Sequence, residues 1–305
     1  ADLLKQIQTA AQRVRDKKVS DDDPAVVVAA DNADLLRRAA LLNNAAERLD
    51  ADTLVIFQRR RDAVARERDG DWDGAVAIWA ELDRDFPRQV ARDLRRARIT
   101  RAIRRADRLI AEGEVDQAAD ELQAAMNTPE IGESWELYLM LAEVLAKKGD
   151  FPSAFNRVHR VEKLPVPADE QEVMAKAVAD KLKWLQREQK IVSAEKRASA
   201  DLEDNRFKEA LTVLTNALKE PDLKDSRRLK TLRDEVFRRG SEFLLDAYNT
   251  AEAGGSQENK TTAVVRLAEL EELEKLADID PDKRKAPALL EPLKAELDPS
   301  IRSTI

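Results

Sequence analysis

Four stretches of the chain repeat one spacing around a residue suited to a tight turn. This repetition restricts the fold more than any other feature. The first stretch, GDWDGAVAIWAELDRDFP, runs from Gly70 to Pro87. Its counterparts begin at Gly113 (GEVDQAADELQAAMNTP), Gly149 (GDFPSAFNRVHRVEKLP) and Asn205 (NRFKEALTVLTNALKEP). Two residues after each turn residue stand Trp72, Val115, Phe151 and Phe207, and five after stand Ala75, Ala118, Ala154 and Ala210. Nine after come Trp79, Leu122, Val158 and Leu214, and twelve after come Leu82, Ala125, Val161 and Ala217. Pro87, Pro129, Pro165 and Pro221 close the segments, and Ala63, Ala106, Ala142 and Ala198 stand seven residues before the turns.

Each position has a physical reason. Where one helix ends and the chain reverses, a residue must adopt positive φ, which Gly does freely and Asn tolerates. The eight alanines fall where two antiparallel helices approach most closely, and a larger side chain there would push the backbones apart. The apolar residues nine and twelve after the turn share one helix face. The closing proline stops the helix and starts the next connection. Pro152 falls at a helix start, where its missing N–H costs little. The spacing therefore predicts a series of helical hairpins.

This pattern resembles the tetratricopeptide repeat, a helix–turn–helix unit of about 34 residues. The resemblance is closest over Trp135 to Pro165, with Tyr138, Leu141, Ala142 and Leu145 in the first helix and Gly149, Ala154 and Val158 in the second. Arg66 and Asp201 depart from it, standing where the family carries a large apolar residue. The turn residues are unevenly spaced, 43 residues from Gly70 to Gly113, then 36 to Gly149 and 56 to Asn205. The last gap needs an additional helix, expected within Ala168 to Gln189. The resemblance implies an all-α fold of antiparallel hairpins stacked as an irregular solenoid over residues 51–222. Residues 1–50 are read as N-terminal helices that form either a further hairpin with the next helix or a cap, and residues 223–305 as a C-terminal helical segment. The flanking helices are expected at Asp2 to Lys17, Asn32 to Arg48 (with Leu35, Leu36, Leu41 and Leu42 apolar), Asp52 to Arg68, Ser226 to Ala253 and Thr262 to Ala277. The polar segments VSDDDP, Val19 to Pro24, and AGGSQENKTT, Ala253 to Thr262, read as breaks.

Composition agrees with helix. Charged residues make up 37% and hydrophobic residues 43%, with aromatics at 4%. The one β-like run, Val26-Val27-Val28, is too short to found a sheet. The net charge of −7 argues against a nucleic-acid partner for the chain as a whole. There is no cysteine, which removes disulfides, thiolate metal sites and cysteine nucleophiles and leaves the compartment open, with a lean to the cytoplasm. No apolar run approaches the roughly 20 residues that span a bilayer, and no leader segment is recognisable after Ala1.

Little in the sequence suggests chemistry. Gly254 to Thr261, GGSQENKT, imitates a phosphate-binding loop, but Asn259 replaces the second glycine and the preceding segment reads as helix, not strand. His159 is the only histidine, and alone it makes neither a zinc site nor a catalytic triad. No cofactor, metal site or enzymatic activity is expected. In some tetratricopeptide proteins Lys and Asn side chains hold a peptide carboxylate. Trp135 to Lys148 offers Glu136 and Glu143 instead, so that clamp does not carry over.

The strongest charge anomaly is Arg84 to Arg108, with ten arginines against three aspartates. With Arg59, Arg60 and Arg61, the residues Arg95, Arg98, Arg101, Arg104 and Arg105 form a candidate basic surface that suits an acidic peptide or protein, a phosphopeptide, or an anionic lipid or nucleic-acid surface. The alternative is that these arginines pair with carboxylates on neighbouring helices while their stems cover apolar surface, and the balance favours this pairing. Two functions are expected from the resemblance. One is a non-catalytic scaffold or adaptor that docks a partner helix or peptide. The other is a structural subunit built permanently into a larger complex, in which the stripe Val265, Leu267, Leu270 and Leu273 serves as a buried seam.

Overall fold

The computed structural model describes residues 2–20, 23–38, 44–87 and 89–296, and within them the protein is all-α, with no strand. The helices are α1 (Asp2–Arg15), α2 (Pro24–Arg38), α3 (Ala45–Arg68), α4 (Trp72–Asp85), α5 (Ala91–Ala111), α6 (Val115–Met126) and α7 (Trp135–Lys147). They continue with α8 (Phe151–Val161), α9 (Gln171–Glu203), α10 (Phe207–Lys219), α11 (Arg227–Ala253), α12 (Gln257–Leu276) and α13 (Ala286–Glu296). A 3₁₀ turn at Pro281–Lys283 precedes α13. The chain forms two compact units, Ala1–Lys148 with Asn156–Met174, and Gly149–Phe155 with Ala175–Ile305.

All four anticipated turn residues are left-handed, with φ of 79° at Gly70, 84° at Gly113, 83° at Gly149 and 58° at Asn205. The helix ends around three of them share one hydrogen-bond pattern. At the first turn, Gly70 N–H donates to Glu67 O (3.2 Å) and Asp71 N–H to Arg66 O (2.9 Å). Gly113 and Glu114 do the same to Ile110 and Leu109, and Asn205 and Arg206 to Leu202 and Asp201. This motif satisfies carbonyls that a helix end leaves without partners. It also explains the two residues that departed from the apolar pattern. The motif places Arg66 and Asp71 together across the first turn, where they form an ion pair at 2.5 Å. Asp201 and Arg206 repeat that pair with reversed polarity at 2.8 Å. A charged contact thus occupies the place where an apolar one commonly accompanies such a turn.

The eight alanines that flank the turns are all fully buried. In the first unit, Ala63 lies in one cluster with Val76, Trp79 and Leu82, where α3 packs against α4. Ala106 and Ala118 lie in another with Leu122 and Leu141, where α5 meets α6 and α6 meets α7. A third cluster, containing Ile7, Ala11, Ala30, Ala33 and Leu54, joins α1, α2 and α3. The second unit gathers residues from Ile191 to Leu293 into one cluster, in which α10 to α13 pack on one another. There Gly240, in the middle of α11, lets Phe207 and Leu273 come so close that an added Cβ would lie 2.9–3.0 Å from their atoms. The buried carboxylate of Glu274 on α12 accepts from the backbone N–H of Lys285 (2.7 Å) and Ala286 (3.3 Å), capping α13 from outside its own chain segment.

Several expected boundaries move. Asn32 to Arg48 is not one helix. Val26-Val27-Val28 and Asn32 belong to α2, which ends at Arg38, and α3 begins at Ala45, seven residues before Asp52, because the Asn44 side chain caps it by accepting from Ala46 and Glu47 N–H. Leu41 and Leu42 lie outside the described residues. The extra helix and the first helix of the Asn205 hairpin are one continuous helix, α9, of 33 residues. The break between α11 and α12 is shorter than Ala253 to Thr262, because the Ser256 side chain accepts from Asn259 N–H and starts α12 at Gln257.

Candidate functional site

The arginines marked out by charge density sit on α3 and α5, and most of them face carboxylates on the helices alongside. Arg59 reaches Asp85 on α4 at 3.2 Å, and Arg60 reaches Asp93 on α5 at 3.1 Å while its guanidinium lies 6.0 Å from the centre of the Trp79 ring. Arg61 lies 3.9 Å from Asp62. On α5, Arg101 and Arg105 converge on Asp73 of α4, at 3.5 and 3.7 Å, and Arg105 also reaches Glu121 of α6 at 3.4 Å. Arg98 faces Glu130 at 3.7 Å, and Arg104 faces Asp107, one turn along its own helix, at 3.8 Å. Arg95 is bound differently, donating to the backbone carbonyls of Ile131 (2.8 Å) and Glu133 (3.2 Å) in the connection between α6 and α7.

Neighbouring arginines of the same run behave alike. Arg96 donates to Glu67 of α3 at 3.2 Å, and the same carboxylate accepts from the indole N–H of Trp79 at 2.9 Å. Arg92 spans to Asp169 (3.1 Å) and Glu170 (3.0 Å), which hold its pKa above the ordinary arginine value, the hydrogen bond to Asp169 contributing most. Arg160 lies over the ring of Tyr138 at 5.6 Å and donates to Glu133 at 2.6 Å. That hydrogen bond, with a second from the Tyr138 hydroxyl, depresses the Glu133 carboxyl below its usual range. Asp71 is lowered too, first by the Gly74 N–H that it caps and then by Arg66. The arginines of α5 therefore act mainly as ties between helices. Most of these pairs are solvent-exposed, so each contributes little by itself, but together they place a carboxylate beside most of these arginines. Arg88 of the same run lies outside the described residues.

Comparison with protein families, with characterised proteins and with solved structures returns no match. Among the described residues there is no cluster of three or more acidic or histidine side chains that could hold a metal ion, and no helix is long and apolar enough to cross a membrane.

What the structure does bring together is a different set on α3. Arg60 and Arg61 line an open groove of about 780 Å³ with Thr53, Ile56, Phe57, Val64 and Arg68 of the same helix, bordered by Val14 of α1 and by Gln89. These positions recur at intervals of three and four, the spacing of one helix face. Ile56, Phe57 and Val64 are half-buried and Arg68 is exposed. Arg68 has no ion-pair partner among the described residues. The charge run Arg59-Arg60-Arg61 drew attention to three consecutive residues, which point in three directions around a helix. The legible signal was the stripe from Thr53 to Arg68, which mixes apolar and cationic side chains on the side away from Ala51, Leu54 and Ala63.

Proposed function

We propose that the chain is a non-catalytic scaffold that docks a partner helix or peptide on a tetratricopeptide-like array of helical hairpins. One observation carries this reading. Four left-handed turns separate eight fully buried alanines placed at matching distances before and after them, so one hairpin design is reused along the chain. Stacked hairpins leave long helical faces whose side chains are free to vary, and protein recognition is the common use of such faces. The arginine ties serve the same end, because they fix the spacing of the helices that would present the docking surface.

The test is affinity capture from cells with crosslinking mass spectrometry. Crosslinks from a captured protein to α3, α5 or α7 are the expected result. Purification of the chain with no stoichiometric or exchangeable protein partner would overturn the reading.

A second reading, a subunit built permanently into a larger complex, draws on a separate observation. Val28 and Leu35 lie two turns apart on α2 and are 58% and 65% exposed, with Leu49 of α3 also 58% exposed. The seam expected on α12 does not add to it. Leu267, Leu270 and Leu273 are buried inside the second unit's own core, and Val265 alone of that stripe is exposed. Under this second reading the captured partner fails to exchange and its crosslinks fall on α2.

A further inference from the structure

The groove along α3 has a composition that selects its occupant. Its floor is apolar, made by Ile56, Phe57 and Val64 with Val14 beside them, and its cationic groups are Arg60, Arg61 and Arg68. Asp62 is the only carboxylate among the described lining residues. The stripe from Thr53 to Arg68 extends about 22 Å at 1.5 Å per residue, the length of a helix of about four turns. A chain of net charge −7 thus carries, on one face of one helix, a lining with three cations to one anion. Arg60 already spends part of its charge on Asp93 at 3.1 Å. Arg68 spends none on any described residue, and it sits at the end of the stripe, where its side chain is exposed.

We propose that this groove binds an acidic amphipathic helix of a partner protein, which lays its apolar stripe on Ile56, Phe57 and Val64 and its carboxylates against Arg61 and Arg68. This proposal rests on the scaffold reading and adds to it the site and the chemistry of the partner. The apolar residues at intervals of three and four match the spacing of a second helix packed alongside, which is how grooves of this kind read their ligands. The arginines fix orientation and speed association, since planar guanidinium groups form paired hydrogen bonds with carboxylates. Because Arg68 has no ion pair with any described residue to give up on binding, its contact with a carboxylate is not offset by the loss of one.

The test uses two fluorescein-labelled 16-residue peptides of identical composition, rich in Leu and Glu. One has its leucines on a single helix face and the other is scrambled. Fluorescence anisotropy against the full chain measures both. The amphipathic peptide is expected to bind at least about tenfold more tightly than the scrambled one, with affinity falling as salt rises. Arg68→Glu and Thr53→Glu are each expected to weaken it by a further tenfold or so, while far-ultraviolet circular dichroism and the melting temperature stay at the wild-type values. Equal binding of the two peptides, or indifference to Arg68→Glu in a protein that remains folded, overturns the proposal. Binding of anionic lipid vesicles or of a nucleic-acid duplex that displaces the peptide also overturns it, since the groove would then be reading charge without the apolar stripe. The scaffold reading fails separately. If Arg68→Glu leaves cellular partners crosslinked to α5 or α7, the groove assignment falls and the scaffold stands. If no partner is captured at all, the scaffold reading falls.

Discussion

The two units solve the problem of burying helices in different ways. In the first, the apolar side chains form clusters that follow chain order. Residues 7–54 make one, 55–97 a second and 99–144 a third. Each helix is held by helices one or two places away in sequence, and close approach is achieved with alanine. In the second unit a single cluster draws on residues from Ile191 to Leu293, with α9 supplying Ile191, Ala194 and Ala198 and its leucines coming mainly from α10 to α13. The first design makes stability a sum of local contacts, as in other arrays of helical hairpins. The second joins four consecutive helices, α10 to α13, through one shared core.

The difference is sharpest under cavity-forming substitutions. Leu122 in the first unit and Leu267 in the second are both fully buried, so Leu122→Ala and Leu267→Ala each remove about 2–5 kcal/mol of packing. What separates them is how far the loss spreads. Amide hydrogen exchange should show Leu122→Ala speeding exchange in α5, α6 and α7 while α1 and α2 keep their protection. Leu267→Ala should speed exchange throughout α10 to α13. Uniform loss across the whole first unit on Leu122→Ala would break the comparison.

A smaller effect tests how the helices approach. Gly240→Ala offers a better helix former, worth about 1 kcal/mol at an unobstructed position. The new methyl group, however, would meet the Leu273 side chain at 2.9 Å and that of Phe207 at 3.0 Å. Overpacking of this kind costs about 1–3 kcal/mol, so the net change is a destabilisation of up to about 2 kcal/mol, read as a lower midpoint in urea. The alanines of the first unit already carry that methyl group between their helices. A stabilised Gly240→Ala protein would show that α11 approaches its neighbours no more closely than the hairpins of the first unit do.

The parts of the fold that were legible in the sequence are those that local geometry dictates. A chain reversal needs a left-handed residue, a close crossing needs a small side chain, and a proline ends a helix. Gly70, Ala75 and Pro87 therefore announce their places without reference to anything distant. The 33-residue α9 carries the opposite signal, since no Gly or Pro interrupts residues 168–204, and dividing it required a break that the sequence does not contain. The start of α12 was obscured by Gly254, Gly255 and Ser256, which mark a turn but also supply the cap that begins the next helix. The arginine surface was the least legible. Whether Arg101 faces solvent or Asp73 depends on the rotation of two helices about their axes, and a count of charges along the chain contains none of that information.

The smallest effect concerns the turns, where Gly113 and Asn205 hold the same backbone with different residues. Gly113 turns the chain at φ 84° with open space around the missing Cβ, whereas Asn205 does so at φ 58° with a side chain in place. Left-handed backbone costs a non-glycine residue about 1–2 kcal/mol, less for Asn because its short polar side chain makes local hydrogen bonds. Glycine in turn loses more chain entropy on folding. Asn205→Gly should therefore stabilise by less than about 1 kcal/mol, and Gly113→Asn should destabilise by a similar amount. Paired melting curves measure both. The two changes should nearly cancel in the double variant, because the turns lie in separate units and share no side-chain partner. A turn at residue 205 that tolerated Ala as well as Gly would mean that the hydrogen bonds from Asn205 and Arg206 back to Leu202 and Asp201, together with the Asp201–Arg206 pair, hold the reversal without help from the residue at its corner. The reversed pair at Arg66 and Asp71 would then be expected to do the same for Gly70, and both units would share a charged clamp across the turn in place of the usual apolar one.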